Sequence, residues 1–414
     1  MSRTTNIVLS LVAIGLVAFA LTFFMRTPAP ALQHNVYIWQ RVWTNSLIES
    51  LKVVKNSIKQ VRVLALEKNS EGEFFEVKPH YAAINSTDLS VYAVIRLDGR
   101  IEQLLDENLT LKIIKLTSDW EQQLTHFTGV EIDYDCPTSQ LSAYHDFLKK
   151  LRVALPSQLK LSTTALPTWM ESLELHELLA LTDESVLQVH AVLNPKQGLF
   201  DSKQALAWAK QYRKIMNKPF QIALPAYGSN VLFSNDEKIS AIQSEQRVFN
   251  DADNALELSA EPAYVANFIH ELQKNNFTSV IWFRLPTTDD RRAWPLESLL
   301  AVMNKQVLES HLIAAFIPDE NDKNHNPNTT TELLTLDLLN QGNISVNLPE
   351  KIHVAPVQNC TAADGLNGYE LELGKNSWIF KRDKVKKIMP QQHLPLAWLR
   401  CSRLQNGGTL NVNF

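Results

Sequence analysis

Several features that would point to particular functions are scarce or missing in this sequence. Only 12 of the 414 residues are glycine, and no glycine-rich phosphate loop occurs, so nucleotide binding lacks support. No basic tract with interleaved aromatic residues is present, and the net charge of -4 makes nucleic acid a poor partner. The 11 histidines are scattered, without the close His-x-His or His-Glu spacing of a metal site. We therefore predict neither a metal nor a cofactor.

Cysteine is also rare, with three residues in the whole chain. Cys360 and Cys401 both lie in the C-terminal segment and could pair, since an oxidising compartment would allow it. Cys136 would then remain single. Because Pro137 follows it and no histidine is close in sequence, we interpret Cys136 as a buried small residue rather than a nucleophile.

The overall composition is typical of a globular protein with an ample core. Hydrophobic residues make up 45% of the chain and charged residues 20%. A length of 414 residues suggests two domains, or one large barrel with an appendage.

The first 31 residues differ from the rest of the chain. Between Arg3 and Arg26, the run from Ile7 to Phe24 is uncharged and mostly apolar, about 18 residues long, at the border between a signal-peptide core and a membrane span. We interpret residues 1–31 as an uncleaved signal anchor, with cleavage at a site weakened by Pro30 as the alternative. Arg3 favours an N-terminus inside. The chain is thus predicted to be a single-pass inner-membrane protein with its bulk in the periplasm or outside.

From residue 32 to 317, apolar segments alternate with amphipathic ones. Strands rich in valine and isoleucine, separated by helices, indicate parallel βαβ units. Eight such strands within about 250 residues are typical of a closed barrel. The predicted fold class is therefore α/β, a (β/α)8 TIM barrel. The predicted strands are Val36–Gln40, Val61–Leu66, Val91–Leu97, Gly129–Asp135, Lys160–Leu166, Ser185–Ala191, Phe220–Leu224 and Ser279–Leu285.

Residues 318–414 are predicted to form a separate, small antiparallel β domain. A polar, turn-rich stretch from 319 to 327 indicates a linker or long loop, and short alternating segments follow it. We interpret the domain as a packing module, with a carbohydrate-binding appendage as the alternative.

The most informative segment is the predicted strand Gly129–Asp135, which carries Glu131, Asp133 and Asp135 at alternate positions. Side chains alternate across a strand with a rise of about 3.3 Å per residue, so these carboxylates point the same way, roughly 6.6 Å apart. Such a row destabilises a strand unless the acids are solvated, paired with cations or required for function. It is typical of the interior and C-terminal mouth of a parallel barrel, where catalytic groups collect.

Other polar and aromatic residues fall at the predicted C-terminal strand ends, which face the pocket of such a barrel. Close carboxylates with aromatic rings form a sugar site, because rings stack on pyranose faces while acids act on the glycosidic oxygen. Trp39, Trp282 or His190 alone would be more typical of a core, and only their convergence favours a site. The candidate catalytic residues are Asp133 and Asp135, and the candidate substrate-binding residues are Trp39, Gln40, Arg41, Arg96, Glu131, Gln188, His190, Tyr227, Trp282 and Arg284.

Two family resemblances accompany these residues. The segment Phe127–Asp135 resembles the strand-four signature F-D-G-x-D-x-D-x-E of chitinase-like family 18 glycoside hydrolases, and Leu224–Gly228 is similar to that family's strand-seven motif L-P-x-Y-G. The layout also resembles a bacterial family, domain of unknown function 3142, in the acidic strand and in the segments Tyr37–Trp43 and Thr164–Trp169. The likeness extends from Val36 to Ala301.

The resemblance to the chitinases implies that Asp133 orients the substrate, that Asp135 protonates the leaving oxygen, and that Trp282 forms the floor of the central sugar subsite. This sequence departs from the family in several places. Thr128 and Glu131 stand where the family's strand-four signature has aspartates. Asp135 stands where the family has a longer glutamate, and a misplacement near 1 Å can cost on the order of 100-fold in rate. Gln188 and His190 replace the family's tyrosine and aspartate on strand six, which argues against an acetamido-assisted mechanism.

The leading hypothesis is an exported, membrane-anchored barrel that acts on a polysaccharide, with Asp135 as general acid and Asp133 as supporting carboxylate. Arg41, Arg96 and Arg284 could hold an acidic sugar or balance the acid row. The alternative is a catalytically inactive glycan-binding protein on the same scaffold, and an assembly factor that uses the barrel face is a third hypothesis.

Overall fold

The computed structural model of this protein describes residues 31–101, 107–190, 198–233, 239–243, 255–290, 292–319, 331–383, 386–402 and 410–414. The predicted signal anchor lies outside this set apart from Ala31, as does most of the predicted linker at 319–327. Within the described part of the chain, no helix is long and apolar enough to span a membrane.

Eight parallel strands form a closed barrel, as the sequence predicts. Each strand pairs with its neighbours in chain order, and the first strand pairs with both the second and the eighth, which closes the cylinder. The barrel strands, named β1 to β8 in chain order, are Gln33–Ile38, Gln60–Lys68, Ser90–Leu97, Phe127–Tyr134, Lys160–Ala165, Glu184–Gln188, Phe220–Pro225 and Ser279–Phe283.

Amphipathic helices lie between these strands and cover the outside of the barrel. The helix Ser202–Ile215 illustrates why they form. Its N-terminus is capped by Asp201, whose side chain accepts hydrogen bonds from two backbone N–H groups. It buries Ala205, Ala209 and Tyr212, which are spaced for one helical face. The described α-helices are Asn45–Val54, Tyr81–Asn85, Glu107–Gln123, Leu141–Ala154, Leu173–Ala180, Ser202–Ile215, Pro262–Lys274 and Leu296–Met303, with 3-10 turns at Thr138–Gln140 and Pro167–Trp169.

Two β insertions interrupt the regular alternation of barrel strands and helices. A short strand, Phe74–Glu76, pairs antiparallel with β2. Between β7 and β8 the chain forms a three-stranded antiparallel sheet from Gly228–Phe233, Ile239–Gln243 and Ala255–Ser259. This second insertion follows directly on the C-terminal end of β7 and therefore begins at the barrel mouth.

The barrel interior is filled in layers. Toward the N-terminal ends of the strands, buried polar side chains form a hydrogen-bonded chain in which Asn35 donates to Gln221 (2.7 Å) and Gln221 donates to Gln60 (2.6 Å). Above it lies a mixed layer of apolar side chains and a buried ion cluster formed by Arg62, Glu131 and Glu184, and the mouth lies above that. The apolar members of the interior include Leu64, Val94, Val186, Ala223 and Ile281.

The C-terminal segment forms the predicted antiparallel β domain. Two four-stranded sheets share one apolar core that includes Leu336, Leu338, Ile352 and Phe380. The first strand, Leu312–Pro318, pairs with Thr331–Asn340, so the domain starts a few residues before the boundary expected at residue 318. Its other strands are Val346–Asn347, Lys351–Ala355, Cys360–Gly365, Glu370–Leu373, Trp378–Lys381, Lys387–Ile388, His393–Ser402 and Asn411–Asn413.

The remaining sequence predictions on cysteine agree with the structure. Cys360 and Cys401 face each other on paired strands and form a disulfide across 41 residues of sequence. Cys136 is free and buried, and burial raises the pKa of its thiol to about 12. A thiol in that state is a packing group rather than a nucleophile.

Loss of the disulfide is expected to destabilise the C-terminal domain. Replacing both Cys360 and Cys401 by serine should lower the free energy of unfolding by about 2–4 kcal/mol, because the crosslink restricts the unfolded chain. Thermal unfolding of the full chain with and without dithiothreitol measures this. The variant Cys136→Ala is the matched control and should keep the response to reductant. A reductant response in the double serine variant would contradict the assignment.

Candidate active site at the barrel mouth

The acidic strand brings two of its three carboxylates to the mouth. β4 ends at Tyr134, so Asp133 lies at the end of the strand and Asp135 follows it. Asp133 is buried, and its Oδ1 accepts a hydrogen bond from the hydroxyl of Thr164 on β5 (2.8 Å). Asp135 is exposed. A Cβ at Gly99 would collide with the carbonyl oxygen of Asp135, so the loop after β3 packs directly against the turn that carries this residue.

The two carboxylates are electrostatically coupled. Arg96 on β3 stands in register with Asp133. Burial raises the pKa of Asp133, while Arg96 and Thr164 lower it. Asp135 is exposed but lies at the barrel mouth, where the surrounding protein displaces part of its water. This loss of water and the neighbouring Asp133 charge raise its pKa to about 7, against the opposing charge of Arg96. The pair therefore retains a proton near neutral pH, as expected of two carboxylates that cannot easily ionise together.

Glu131 does not reach the mouth, and the prediction that it binds substrate is wrong. It is fully buried inside the barrel, where it accepts hydrogen bonds from the hydroxyls of Tyr37 (2.5 Å) and Ser162 (2.9 Å). Burial raises the pKa of Glu131, and the ion pair with Arg62 opposes that rise. The alternation along β4 does turn Glu131 inward, but it lies two residues, roughly 6.6 Å, deeper than Asp133.

Arg62 is the centre of this buried charge cluster. Its guanidinium forms ion pairs with both Glu131 and Glu184 and lies 4.5 Å from the ring centroid of Tyr92. Burial disfavours the charge on Arg62, but the two glutamates outweigh this effect and raise its pKa. Arg62 thus remains a cation within the barrel, paired with Glu131 at a level deeper than Asp133 and Asp135.

Trp282 is also absent from the mouth, and its predicted role as a sugar platform is wrong. Its neighbours on β8, Ile281 and Phe283, belong to the barrel interior, so Trp282 points to the helices. There its Nε1 donates to His34 (3.2 Å), and its ring lies 5.8 Å from that of Trp294. Both faces of a barrel strand are buried, so the apolar sequence of β8 does not reveal which face is inward.

Four rings form an aromatic wall at the mouth, and they come from strands other than those that carry the acids. The ring of Phe283 lies 5.2 Å from Trp39, 5.1 Å from His190 and 5.5 Å from Tyr227. The Nδ1 of His190 and the hydroxyl of Tyr227 form a hydrogen bond (3.2 Å). Burial lowers the pKa of His190 to about 3, so the imidazole is neutral. These residues come from β1, β6, β7 and β8, whereas the acids and Thr164 come from β4 and β5.

Arg41 and Arg96 stand on the rim and share one acid. The guanidinium of Arg41 binds Glu67 through two hydrogen bonds (2.6 and 2.8 Å), and Arg96 lies 3.5 Å from the same carboxylate. Both arginine side chains are nearly half exposed. Arg96 also lies 5.6 Å from the ring centroid of Trp39, so it connects the acidic half of the mouth with the aromatic wall.

The other predicted residues occupy the edges of the site. Arg284 is buried and forms an ion pair with Asp290. Gln40 donates to the carbonyl oxygen of Leu285 (3.0 Å), and Gln188 is half-buried at the end of β6. The structure therefore brings these three residues near the mouth but gives Arg284 and Gln40 partners within the protein.

Sequence reasoning missed four residues that shape the site. Thr164 could have been found by extending the alternation argument from β4 to β5. Phe283 could not, because β8 is apolar on both faces. A lone charge within the apolar run Val61–Val63 is the signal for Arg62, while Glu67 shows no comparable pattern. In the described part of the chain, no three His, Cys, Asp or Glu residues cluster so as to hold a metal ion.

Comparison with known families supports the resemblance predicted from sequence. Residues 88–288 match the domain of unknown function DUF3142, and residues 323–402 match a second domain of unknown function, DUF8456. The first match spans β3 to β8, and it confirms the predicted likeness to domain of unknown function 3142. No curated protein matches the sequence.

Solved structures similar to this chain are barrels of the same kind. The spore cortex-lytic enzyme SleL of Bacillus cereus has 14% identity and a TM-score of 0.50, over 67% of this chain and 75% of that one. The SleL of Bacillus megaterium has 11% identity with the same TM-score and coverage. A chitinase from Chromobacterium violaceum has 13% identity and a TM-score of 0.48, over 66% of this chain and 98% of that one. At such identities the likeness to the two SleL structures supports the barrel fold alone.

Removing the buried cation should strongly destabilise the barrel. Arg62→Met would leave Glu131 and Glu184 buried without their counter-ion, which is expected to cost about 3–5 kcal/mol. Urea unfolding of the full chain measures the loss. Adding Glu131→Gln to this variant should recover part of it.

The matched control is Arg100→Met, because Arg100 pairs with Asp98 at the surface. Surface pairs contribute about 0–1 kcal/mol. Equal losses for Arg62→Met and Arg100→Met would show that the buried ion cluster does not stabilise the barrel.

Proposed function

We propose that this protein is a glycoside-hydrolase-like enzyme that cleaves a polysaccharide at the barrel mouth. The observation that carries the proposal is the coupled pair Asp133 and Asp135, which faces a wall of aromatic rings at the C-terminal end of a parallel barrel. Active sites of such barrels are built at this end. Two coupled carboxyl groups that retain a proton between them can supply an acid and a negative charge in one site.

In this mechanism Asp135 is the general acid. Its pKa, raised to about 7, leaves the carboxyl protonated in neutral or mildly acidic medium, and its exposed position allows contact with a bound glycan. It donates the proton to the glycosidic oxygen as the bond from the sugar carbon to that oxygen breaks. Asp133 supplies the negative charge that stabilises the positive charge developing on the sugar. Water then adds to the sugar carbon and returns a proton to Asp135.

A catalytically inactive glycan-binding protein is the second candidate. One observation favours it: the aromatic wall, with its neutral histidine, comes from strands other than those that carry the acids. Aspartate in place of the glutamate expected from the chitinase resemblance shortens the acid, which would reduce proton transfer more than binding. Binding without cleavage would identify this case.

Cleavage is expected to depend on the protonated form of Asp135. The full chain should release new reducing ends from at least one of a panel of envelope and exopolysaccharide preparations, and Asp135→Asn should lower the rate by a factor of at least 100. Because the acid must be protonated, the rate should fall as the pH rises through about 7. Asp133→Asn removes the charge that raises this pKa, so the fall in its residual activity should begin at lower pH.

Asp98→Asn serves as the control, since Asp98 lies nearby on the barrel rim but pairs with Arg100. Its rate and pH profile should match those of the unaltered protein. Cleavage that persists in Asp135→Asn would remove Asp135 from the role of acid. Binding without cleavage in both forms would support the glycan-binding protein instead.

We further propose that the protein acts outside the cytoplasm, tethered to the inner membrane through residues 1–31. The Cys360–Cys401 disulfide supports an oxidising compartment. In spheroplasts, added protease should digest the folded domains while a cytoplasmic marker stays intact, and alkaline carbonate should leave the full chain in the membrane pellet. Complete protection from protease would refute export, and full release by carbonate would refute the anchor.

A further inference from the structure

Two buried polar atoms of the aromatic wall have no hydrogen-bond partner within the described part of the protein. These atoms are Nε1 of Trp39 and Nε2 of His190, and the two residues are only 4% and 2% exposed. A buried donor or acceptor without a partner costs about 1–3 kcal/mol. Such groups are rare in folded proteins and call for a specific explanation.

Both atoms belong to the same small region. The rings of Trp39 and His190 flank Phe283, with centroid distances of 5.2 and 5.1 Å. Trp39 follows the end of β1 and His190 follows the end of β6, each at an even spacing from the inward residues Tyr37 and Val186. Alternation therefore turns both side chains to the inside of the barrel at its mouth.

The chemistry of these atoms selects an uncharged ligand. The indole is a neutral donor, and the imidazole is neutral because burial holds its pKa near 3. Nδ1 of His190 is occupied by the Tyr227 hydroxyl, which leaves Nε2 for a ligand. Two cations lie beside this wall, and each already has an acidic partner within the protein: Arg284 pairs with Asp290, and Arg96 with Glu67. A sugar hydroxyl can accept from the indole and can donate to or accept from the imidazole, whereas a carboxylate would have to compete with those acids for a cation.

We propose that Trp39 Nε1 and His190 Nε2 are the hydrogen-bonding atoms that hold an uncharged, hydroxyl-bearing sugar ring against Phe283. The inference rests on the proposed function and adds a substrate class to one half of the site. The apolar CH face of the sugar packs on the Phe283 ring, while two of its hydroxyls satisfy the orphaned nitrogens. These contacts are independent of the acids and therefore determine specificity rather than bond cleavage.

The experiment uses the full chain in detergent, labelled with 15N at tryptophan. Soluble fragments of the same polysaccharide panel are added in two pools, one of neutral sugars and one bearing uronic acids. The indole N–H signal that Trp39→Phe removes is expected to shift with the neutral pool. Trp39→Phe and His190→Phe keep a ring but lose the polar atom, and each should weaken binding of the neutral fragments about 2- to 10-fold.

Trp282→Phe is the matched control, because it removes an indole whose N–H is already bound to His34 outside the barrel interior. Its signal should not move and its affinity should be unchanged. Equal melting temperatures for the ring-retaining variants show that folding is intact. If a variant fails to fold, the shift of the Trp39 indole signal in the unaltered protein still tests whether this side chain contacts the sugar.

The outcomes separate this inference from the proposed function. If a neutral fragment binds while the Trp39 signal stays fixed and both variants keep full affinity, the inference is overturned and the proposed function stands. Selective binding of the uronic-acid pool would overturn it in the same way. If no fragment binds or is cleaved, the proposed function fails and this inference fails with it.

Discussion

A closed parallel barrel forces every second residue of each strand inward, and the site depends on how β4 meets that constraint. Three carboxylates at alternate positions would otherwise collect their charge in a low-dielectric interior. Arg62 compensates the charge of the most deeply buried of these acids, Glu131, and it also pairs with Glu184. The two glutamates and one arginine fill a layer that in most such barrels is apolar, and the tyrosine hydroxyl of Tyr37 completes it.

The same row of acids consequently has three different environments. Glu131 is enclosed and paired, Asp133 is buried but hydrogen-bonded to Thr164, and Asp135 emerges at the mouth. The partial loss of water at the mouth and the negative charge of Asp133 disfavour ionisation of Asp135, and together they raise the pKa of Asp135 to about 7. The three side chains are chemically similar, but their depth in the barrel differs. Glu131 is therefore a structural anion, Asp133 a supporting charge and Asp135 a candidate acid.

The mouth is divided between polar and aromatic halves. The acids, Thr164 and Arg96 come from consecutive strands β3 to β5, while the rings come from β6 to β8 and β1. Neighbouring strands lie about 4.8 Å apart, so a sugar ring that contacts His190 is within reach of acids two strands away. This arrangement is what makes a glycan more suitable than a compact charged metabolite as the ligand of the proposed site.

Much of the fold was predictable because local pattern and barrel geometry agree. Valine- and isoleucine-rich strands separated by amphipathic helices permit few alternatives to a parallel barrel, and the alternation of β4 identified the inward acids. The same reasoning failed for Trp282, since a strand that is apolar on both faces carries no mark of its inward side. It also placed Glu131 at the mouth, because alternation defines a face but not a depth within the barrel.

By itself, the sequence determined the eight-stranded barrel, the antiparallel C-terminal domain, the Cys360–Cys401 pair and the common face of the three acids. Each of these follows from spacing along the chain or from the chemistry of a few residue types. Only the tertiary structure decided which acids reach the mouth and which aromatic rings line it. It also decided that Arg62 lies deeper in the barrel, paired with Glu131. Those features depend on the register and tilt of strands far apart in sequence, and contacts such as Arg62 to Glu131 arise only when the cylinder closes.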